Sequence, residues 1–228
     1  MTLFIFGKDK KAKSKKKPVT KKKTTTKKSS KKKISSKKKK TSDKSNSDKK
    51  EKTEYPEKEI ITHLIGNTLT SNSKKAYSYC KESAFGEHVE DKIKYTLSEG
   101  LFLVQNGKME IYQNNKILDS DEIMKKFTKI DKKFPIKYGV FKDLRIKGYV
   151  VKTALKFGAE FRVYEKGKKA GAEHSKWIVF TDQENNKTTW HEFAAKNRVA
   201  HSTNKNVLLA IVDEENQITY YEIKWTKP

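Results

Sequence analysis

The sequence predicts two ordered domains behind a disordered basic tail: a small α+β domain at 58–133 and an α/β domain with a central mixed sheet at 134–228. Three observations predict this organisation. Residues 1–57 are low-complexity Lys, Ser and Thr, which bury too little apolar surface to fold. Short strand and helix patterns with intervening turn residues begin after position 58. The apolar period then changes from helical to strand-like after Gly148.

Charge is concentrated in the tail. Residues 1–57 hold 23 Lys against 6 acidic residues, a net +17 of the chain's +25. The other 171 residues hold 30 Lys and Arg against 22 acids, a net +8. Such a tail either attracts polyanions in a salt-sensitive, sequence-independent way or serves as a solubilising or targeting extension. The sequence leaves both interpretations open.

Composition also limits the class of protein. The apolar run at 2–6 is too short for a secretory signal, and no stretch approaches the roughly 20 apolar residues that span a bilayer. Cys80 is the only cysteine, so neither a disulfide framework nor a thiolate metal cluster is expected. These features predict a soluble, cytoplasmic protein.

The first domain is predicted from short apolar runs. Residues 60–69, with a turn at Asn67, indicate a strand or a strand pair, whereas 74–90 is ambiguous. Ser98 is expected to cap a helix that ends at Gly107. A strand at 108–112 with a turn at 114–115 follows, and Ser120 or Asp121 is expected to cap the next helix.

The second domain is predicted to begin with a helix after Pro135, ending at Gly148. The buried side of this helix should carry Tyr138, Val140, Phe141, Leu144 and Ile146. Strands are expected at 149–151, 161–164, 177–180, 207–212 and 218–225. Thr189 and Glu192 form a capping-box pattern that predicts a helix between the third and fourth of these strands. The continuous apolar run at 207–212 is typical of a strand covered on both faces.

Several long motifs in this second half carry a family resemblance. Residues 143–153 read DLRIKGYVVKT and 156–164 read KFGAEFRVY. His174-Ser175 precedes an aromatic-aliphatic strand, and AIVD at 210–213 precedes ITYY at 218–221. In this order the motifs resemble the archaeal tRNA-intron endonuclease over nearly all of 140–228 and, more loosely, around the helix at Ser98. Several ordered motifs are far more specific than one short pattern.

The resemblance implies a nuclease-type α/β fold for the second domain and a precursor tRNA substrate with a bulge-helix-bulge at its exon–intron junctions. It implies products with 2′,3′-cyclic phosphate and 5′-hydroxyl ends, and no metal or other cofactor. Three roles carry over: Tyr164 as general base, His174 as general acid and Lys205 as transition-state stabiliser. It also implies self-association, as a homotetramer or with a second kind of subunit.

These residue types suit cleavage of RNA by its own 2′-hydroxyl. The hydroxyl must lose a proton, the leaving 5′ oxygen must gain one, and the phosphorane must be stabilised. A free histidine has a pKa near 6.5, which suits a general acid at this position, and Lys205 supplies a compact positive charge. A free tyrosine has a pKa near 10, so Tyr164 either ionises with help from nearby cations or mainly orients the 2′-hydroxyl.

Further residues are implied by the resemblance. Arg198 occupies the position of an arginine that stacks on a bulge base, with Tyr220 or Trp225 standing where a second arginine is usual. Asp213, Glu214 and Glu215 match an acidic loop that docks into a partner subunit.

Two other functions are alternatives to this prediction. Asp213 and Glu222, the latter in a Glu-Ile-Lys triplet, could be the carboxylates of a metal-dependent nuclease. Alternatively, the chain is a non-catalytic RNA-binding or structural subunit whose tail supplies the affinity. Removal of metal ions with a chelator would abolish cleavage by the metal-dependent nuclease. A non-catalytic subunit would bind RNA and give no product under any condition.

Overall fold

A computed structural model of the protein describes residues 4–5, 60–168, 170–171 and 173–226. The predicted disordered tail lies outside the described residues except for β1 (Phe4–Ile5), a two-residue strand that the sequence analysis missed. Both predicted sheets are present, each of six strands and each containing parallel and antiparallel pairs. No helix in the described part of the chain is long and apolar enough to cross a bilayer.

The first sheet and its helices occupy residues 60–130. Its elements are β2 (Ile60–Ile65), β3 (Thr68–Ser71), α1 (Lys74–Ser83), β4 (Glu87–Val89), β5 (Lys92–Tyr95), α2 (Leu97–Gln105), β6 (Met109–Gln113), β7 (Lys116–Leu118) and α3 (Ser120–Ile130). The strand order is β4-β5-β3-β2-β6-β7, in which β2 and β6 are parallel. The predicted strand pair at 60–69 is confirmed, and the ambiguous stretch at 74–90 contains both a helix and a strand.

Two predicted helix caps were wrong by one or two positions. The side chain of Thr96, not Ser98, accepts from the backbone N–H of Glu99, and the Glu99 carboxylate accepts from the N–H of Thr96. Asp119, not Ser120 or Asp121, makes the same reciprocal pair with Glu122. The glutamate three residues after the cap defines the true helix start in both cases.

The second sheet occupies residues 134–223. Its elements are α4 (Phe134–Ile146), β8 (Val150–Ala154), a 3₁₀ turn (Leu155–Phe157), β9 (Ala159–Tyr164), β10 (Trp177–Gln183), α5 (Trp190–Ser202), β11 (Asn206–Val212) and β12 (Ile218–Ile223). The strand order is β1-β12-β11-β10-β9-β8, with β10 and β11 parallel. This mixed central sheet confirms the predicted fold class.

Helices α4 and α5 cover opposite faces of the second sheet. Side chains such as Val163 and Ala210 face the core that contains α4, whereas Ile178 and Val207 pack with α5. The run at 207–212 therefore lies between two helices, as its apolar sequence indicated. One prediction about α4 was wrong: Ile146, at its last turn, is 68% exposed.

Candidate active site

Tyr164, His174 and Lys205 meet at one edge of the second sheet. Tyr164 ends β9, His174 lies just before β10, and Lys205 lies just before β11. Since β9 runs antiparallel to β10, and β10 parallel to β11, these three chain positions share one edge. All three side chains line the same open cleft of about 410 Å³. The cleft is a single site built from three separate parts of the sequence.

Backbone hydrogen bonds of Lys176 hold this edge together. Its N–H donates to the carbonyl of Val163 at 2.9 Å, and its carbonyl accepts from the N–H of Asn206 at 3.0 Å. Val163 precedes Tyr164, and Asn206 follows Lys205. Lys176, immediately before β10, therefore fixes the spacing between the end of β9, which carries Tyr164, and the start of β11, which follows Lys205.

The loop between β9 and β10 turns at two glycines and is stabilised by ion pairs. Gly167 and Gly171 have φ angles of 84° and 98°, which residues with a Cβ rarely adopt. The ammonium of Lys168 pairs with Glu173 at 2.7 Å and with Glu165 at 3.9 Å. This loop returns the chain and leaves the His174 side chain exposed at the cleft.

Lys205 is held at the cleft by its own turn. Its N–H donates to the Ala200 carbonyl at 2.9 Å, and its Nζ donates to the Thr203 carbonyl at 2.8 Å. Burial, followed by the neighbouring cations Arg162 and Lys156, lowers the pKa of Lys205 below its usual value. An anion bound beside these cations would offset their repulsion.

Seven further residues line the cleft and were not identified as site residues by the sequence analysis: Lys156, Phe157, Arg162, Gly171, Glu173, Ser175 and Thr203. Together with Lys205, two of them supply a concentration of positive charge, against Glu173 as the acidic residue lining the cleft. Such a cleft favours an anionic substrate. Strand alternation was a usable signal for Arg162, because it lies two residues before Tyr164 on β9 and therefore projects from the same face.

Arg198 and Trp225 lie at the α5 side of the molecule. Arg198 is exposed on α5, and His201, three residues later on the same helix, stacks on Trp225 with ring centroids 5.1 Å apart. The last strand ends at Ile223, two residues earlier than predicted, which leaves the indole 54% exposed. A guanidinium and an open aromatic face are therefore available on this side.

Tyr220 does not share that surface, which corrects its assignment as a partner for Arg198. It pairs with Ala210 on β11 and packs, half-buried, against the core that contains α4. Its hydroxyl donates to Asp143 of α4 at 2.8 Å, and burial and this carboxylate raise its pKa well above the usual range. The alternation of side chains on β12 thus makes Tyr220 a packing residue.

Asp213, Glu214 and Glu215 form the turn between β11 and β12. Glu214 and Glu215 are exposed, and Asp213 accepts from the N–H of Gln217 at 2.8 Å. The turn lies at the opposite end of β11 from Lys205, about 23 Å away along the strand. The acidic turn is therefore separate from the cleft and open to another molecule.

The structure contradicts a paired-carboxylate metal site at Asp213 and Glu222. Glu222 pairs with Leu208, so about 17 Å of strand separates it from Asp213 at the hairpin end. The Glu222 carboxylate is buried and accepts from Trp177 Nε1 at 3.0 Å and Asn206 Nδ2 at 2.7 Å. Within the residues that the structure describes, no three His, Cys, Asp or Glu side chains are grouped so that they could hold a metal ion.

Comparison with known proteins agrees with this architecture. Residues 134–220 match the family model of the tRNA intron endonuclease catalytic C-terminal domain, and 60–124 match that of its N-terminal domain. A tRNA-splicing endonuclease of Thermococcus kodakarensis is 40% identical over 169 residues, covering 74% of this chain and 99% of that protein. One from Nanoarchaeum equitans is 44% identical over 146 residues, covering 61% and 93%. One from Pyrococcus horikoshii is 39% identical over 172 residues, covering 75% and 99%.

Proposed function

This chain belongs to the tRNA intron endonuclease family, and we propose that it is a tRNA-splicing endonuclease that cuts precursor tRNA at bulge-helix-bulge junctions without a metal ion. The observation that carries the proposal is the convergence of Tyr164, His174 and Lys205 on one cationic cleft. A purely structural subunit has no need of a phenol, an imidazole and an ammonium around one cleft.

In the proposed reaction the nucleophile belongs to the substrate. Tyr164 orients the 2′-hydroxyl and, as its phenolate, accepts the proton of that hydroxyl as O2′ attacks the adjacent phosphorus. The P–O5′ bond breaks, and His174 protonates the leaving O5′. Lys205 stabilises the negative charge on the non-bridging oxygens between these steps. The products are a 2′,3′-cyclic phosphate and a 5′-hydroxyl, and DNA is not a substrate because it lacks the 2′-hydroxyl.

Recognition of the bulge is assigned to Arg198 and Trp225. A guanidinium and an indole can each stack on an unpaired base whatever its identity. Arg198 and Trp225 are both exposed near α5, and His201 already holds one face of the indole. This arrangement supports a shape-directed interaction with a splayed base, in which the arginine and the tryptophan take the place of two arginines.

Self-association as a homotetramer in the cytoplasm completes the proposal. The acidic turn at 213–215 lies at the end of the sheet away from the cleft, and the residues after position 57 carry a net charge of +8. An apolar groove of about 280 Å³ beside α5 includes Trp190, whose side chain is 81% exposed. Exposed apolar surface of this kind is typical of protein contacts. Light scattering should give four times 26.4 kDa, about 106 kDa, and a mass of one chain would contradict it.

The test of function is cleavage of a bulge-helix-bulge RNA in excess EDTA, with analysis of the product ends. We expect undiminished cleavage and cyclic phosphate termini, and almost none in His174→Ala. Loss of activity on chelation, or full activity in His174→Ala, would overturn the mechanism. Tight, salt-dependent RNA binding with no product under any condition would show a non-catalytic subunit instead.

A further inference from the structure

Two buried polar atoms in the cleft have no hydrogen-bond partner: Nε of Arg162 and Oγ of Ser175. Ser175 as a whole is only 5% exposed. A buried polar group without a partner costs about 1–3 kcal/mol, and more when it is charged, so folded proteins retain few of them. Two such atoms lining one cleft indicate that a ligand supplies the missing acceptor.

The chemistry of these two atoms limits which class of ligand can bind them. An arginine Nε–H can only donate, and a serine hydroxyl can donate as well. Arg162 and Lys156 lie close enough to Lys205 that, after burial, they are the groups that lower its pKa. The ligand must therefore offer oxygen acceptors and negative charge. A phosphodiester fits, because it is negatively charged and its non-bridging oxygens are strong acceptors for a guanidinium N–H.

Arg162 and Ser175 lie next to the proposed catalytic residues, so a phosphate bound to them would lie close to the reacting groups. Arg162 projects from the same face of β9 as Tyr164, and its guanidinium carbon lies 6.0 Å from the centroid of that ring. Ser175 directly follows His174, and the next residue is fixed by the Lys176-to-Val163 backbone hydrogen bond. The unpartnered donors thus accompany the proposed base and the proposed acid.

The contact of Arg162 outside the cleft does not satisfy its Nε. One of its terminal nitrogens approaches the carboxylate of Glu87 in the first sheet, but at 4.0 Å and with Glu87 57% exposed. Such an exposed pair contributes about 0–1 kcal/mol. It uses a different nitrogen and leaves Nε unpaired, so it can orient the guanidinium without satisfying it.

We propose that Arg162 and Ser175 bind one non-bridging oxygen of the scissile phosphodiester, leaving Lys205 to stabilise the other. This inference rests on the proposed endonuclease function and adds two residues to the groups that contact the reacting phosphate. Arg162 contributes a fixed charge and direction, which lysine cannot reproduce. Ser175 contributes a buried hydroxyl at the same oxygen.

The first experiment measures single-turnover cleavage of a bulge-helix-bulge RNA, together with binding of the same RNA carrying a 2′-deoxy scissile nucleotide. Removing one preorganised donor from a transition-state oxyanion lowers the rate about 100-fold or more, so we expect about that loss in Arg162→Gln. We expect about 10-fold in Ser175→Ala and about 10-fold in Arg162→Lys, with Kd changed less than about 5-fold.

Glu87→Gln is the matched control, because it removes the partner of Arg162 outside the cleft. We expect its cleavage rate within about 2-fold of the wild type. If Arg162→Gln and Glu87→Gln slow cleavage equally, Arg162 acts only through the ion pair and the inference is wrong. The inference is also wrong if Arg162→Gln weakens RNA binding, measured as Kd, but leaves the single-turnover cleavage rate of bound RNA unchanged. Should Arg162→Gln fail to fold, Arg162→Lys carries the same comparison.

The second experiment needs no catalysis. Inorganic phosphate should raise the thermal midpoint of the wild type and of Glu87→Gln, and this rise should be lost in Arg162→Gln. An equal rise in Arg162→Gln would refute the phosphate contact. If the wild type cleaves no RNA, the endonuclease proposal fails, and the phosphate titration alone then decides whether Arg162 binds phosphate.

Discussion

A buried ion pair joins helix α2 of the first domain to β8 of the second, and its removal should destabilise the protein strongly. Lys152 of β8 donates through Nζ to the Glu99 carboxylate at 3.0 Å and to the Gly86 carbonyl at 2.7 Å. The side chains are 7% and 2% exposed. The carboxylate also accepts from Gly86 N, Thr96 N and Thr96 Oγ1. Lys152→Met removes the cation that is paired with this carboxylate and leaves the carboxylate buried.

The expected loss follows from that burial. Removing one partner of a buried ion pair costs about 3–5 kcal/mol, chiefly because the remaining charge is uncompensated. For a folded region of this size, each kcal/mol lowers the thermal midpoint by about 2–4 °C, so Lys152→Met should melt about 10 °C lower. Adding Glu99→Gln removes the stranded charge, and the double variant should lose no more than Lys152→Met alone.

The assay is thermal unfolding followed by circular dichroism at one protein concentration, since self-association shifts the midpoint. Lys147→Met is the matched control. Its ammonium pairs with Asp143 at 2.6 Å, but the lysine is 48% exposed, and such an i,i+4 pair contributes about 0.3–0.5 kcal/mol. The reasoning is refuted if Lys152→Met melts no lower than Lys147→Met.

Two further predictions concern the cleft and the bulge-recognition surface. Burial and the neighbouring cations Arg162 and Lys156 lower the pKa of Lys205, so Lys156→Gln, which removes one of these cations, should raise that pKa. An NMR titration of the Lys205 Nζ should show the rise, and an unchanged or lower pKa contradicts this. Trp225→Ala should weaken binding of the bulge-helix-bulge RNA about 10-fold through lost stacking, whereas Tyr220→Phe, which removes only the hydrogen bond to Asp143, should bind RNA normally. Equal binding by the two variants, measured by fluorescence anisotropy, contradicts the assignment.

The convergence of the proposed triad was predictable because it depends on chain order at strand ends. Tyr164 ends a strand, and His174 and Lys205 each precede one, so a mixed sheet with the observed pairing places them at one edge. Thr189 was likewise a predictable cap, because its glutamate partner stands three residues later. The same rule applied at Thr96 and Asp119 would have corrected both misplaced helix starts.

Other features depend on neighbours that only the folded chain supplies. Tyr220 and Trp225 looked equivalent as aromatic partners of Arg198, but the α4 carboxylate of Asp143 takes the tyrosine hydroxyl. The unpartnered atoms of Arg162 and Ser175 could not be found from sequence either. A polar residue is recognised as unsatisfied only when all groups around it are placed.

The role of the 2′-hydroxyl is tested most directly by replacing it at one nucleotide. A bulge-helix-bulge RNA with a single 2′-deoxy residue on the 5′ side of the scissile phosphate should bind normally and give no product at that junction. The same substitution one nucleotide away should leave single-turnover cleavage unchanged. Cleavage at the deoxy junction would mean that water is the nucleophile, and the roles given to Tyr164, His174 and Lys205 would be wrong.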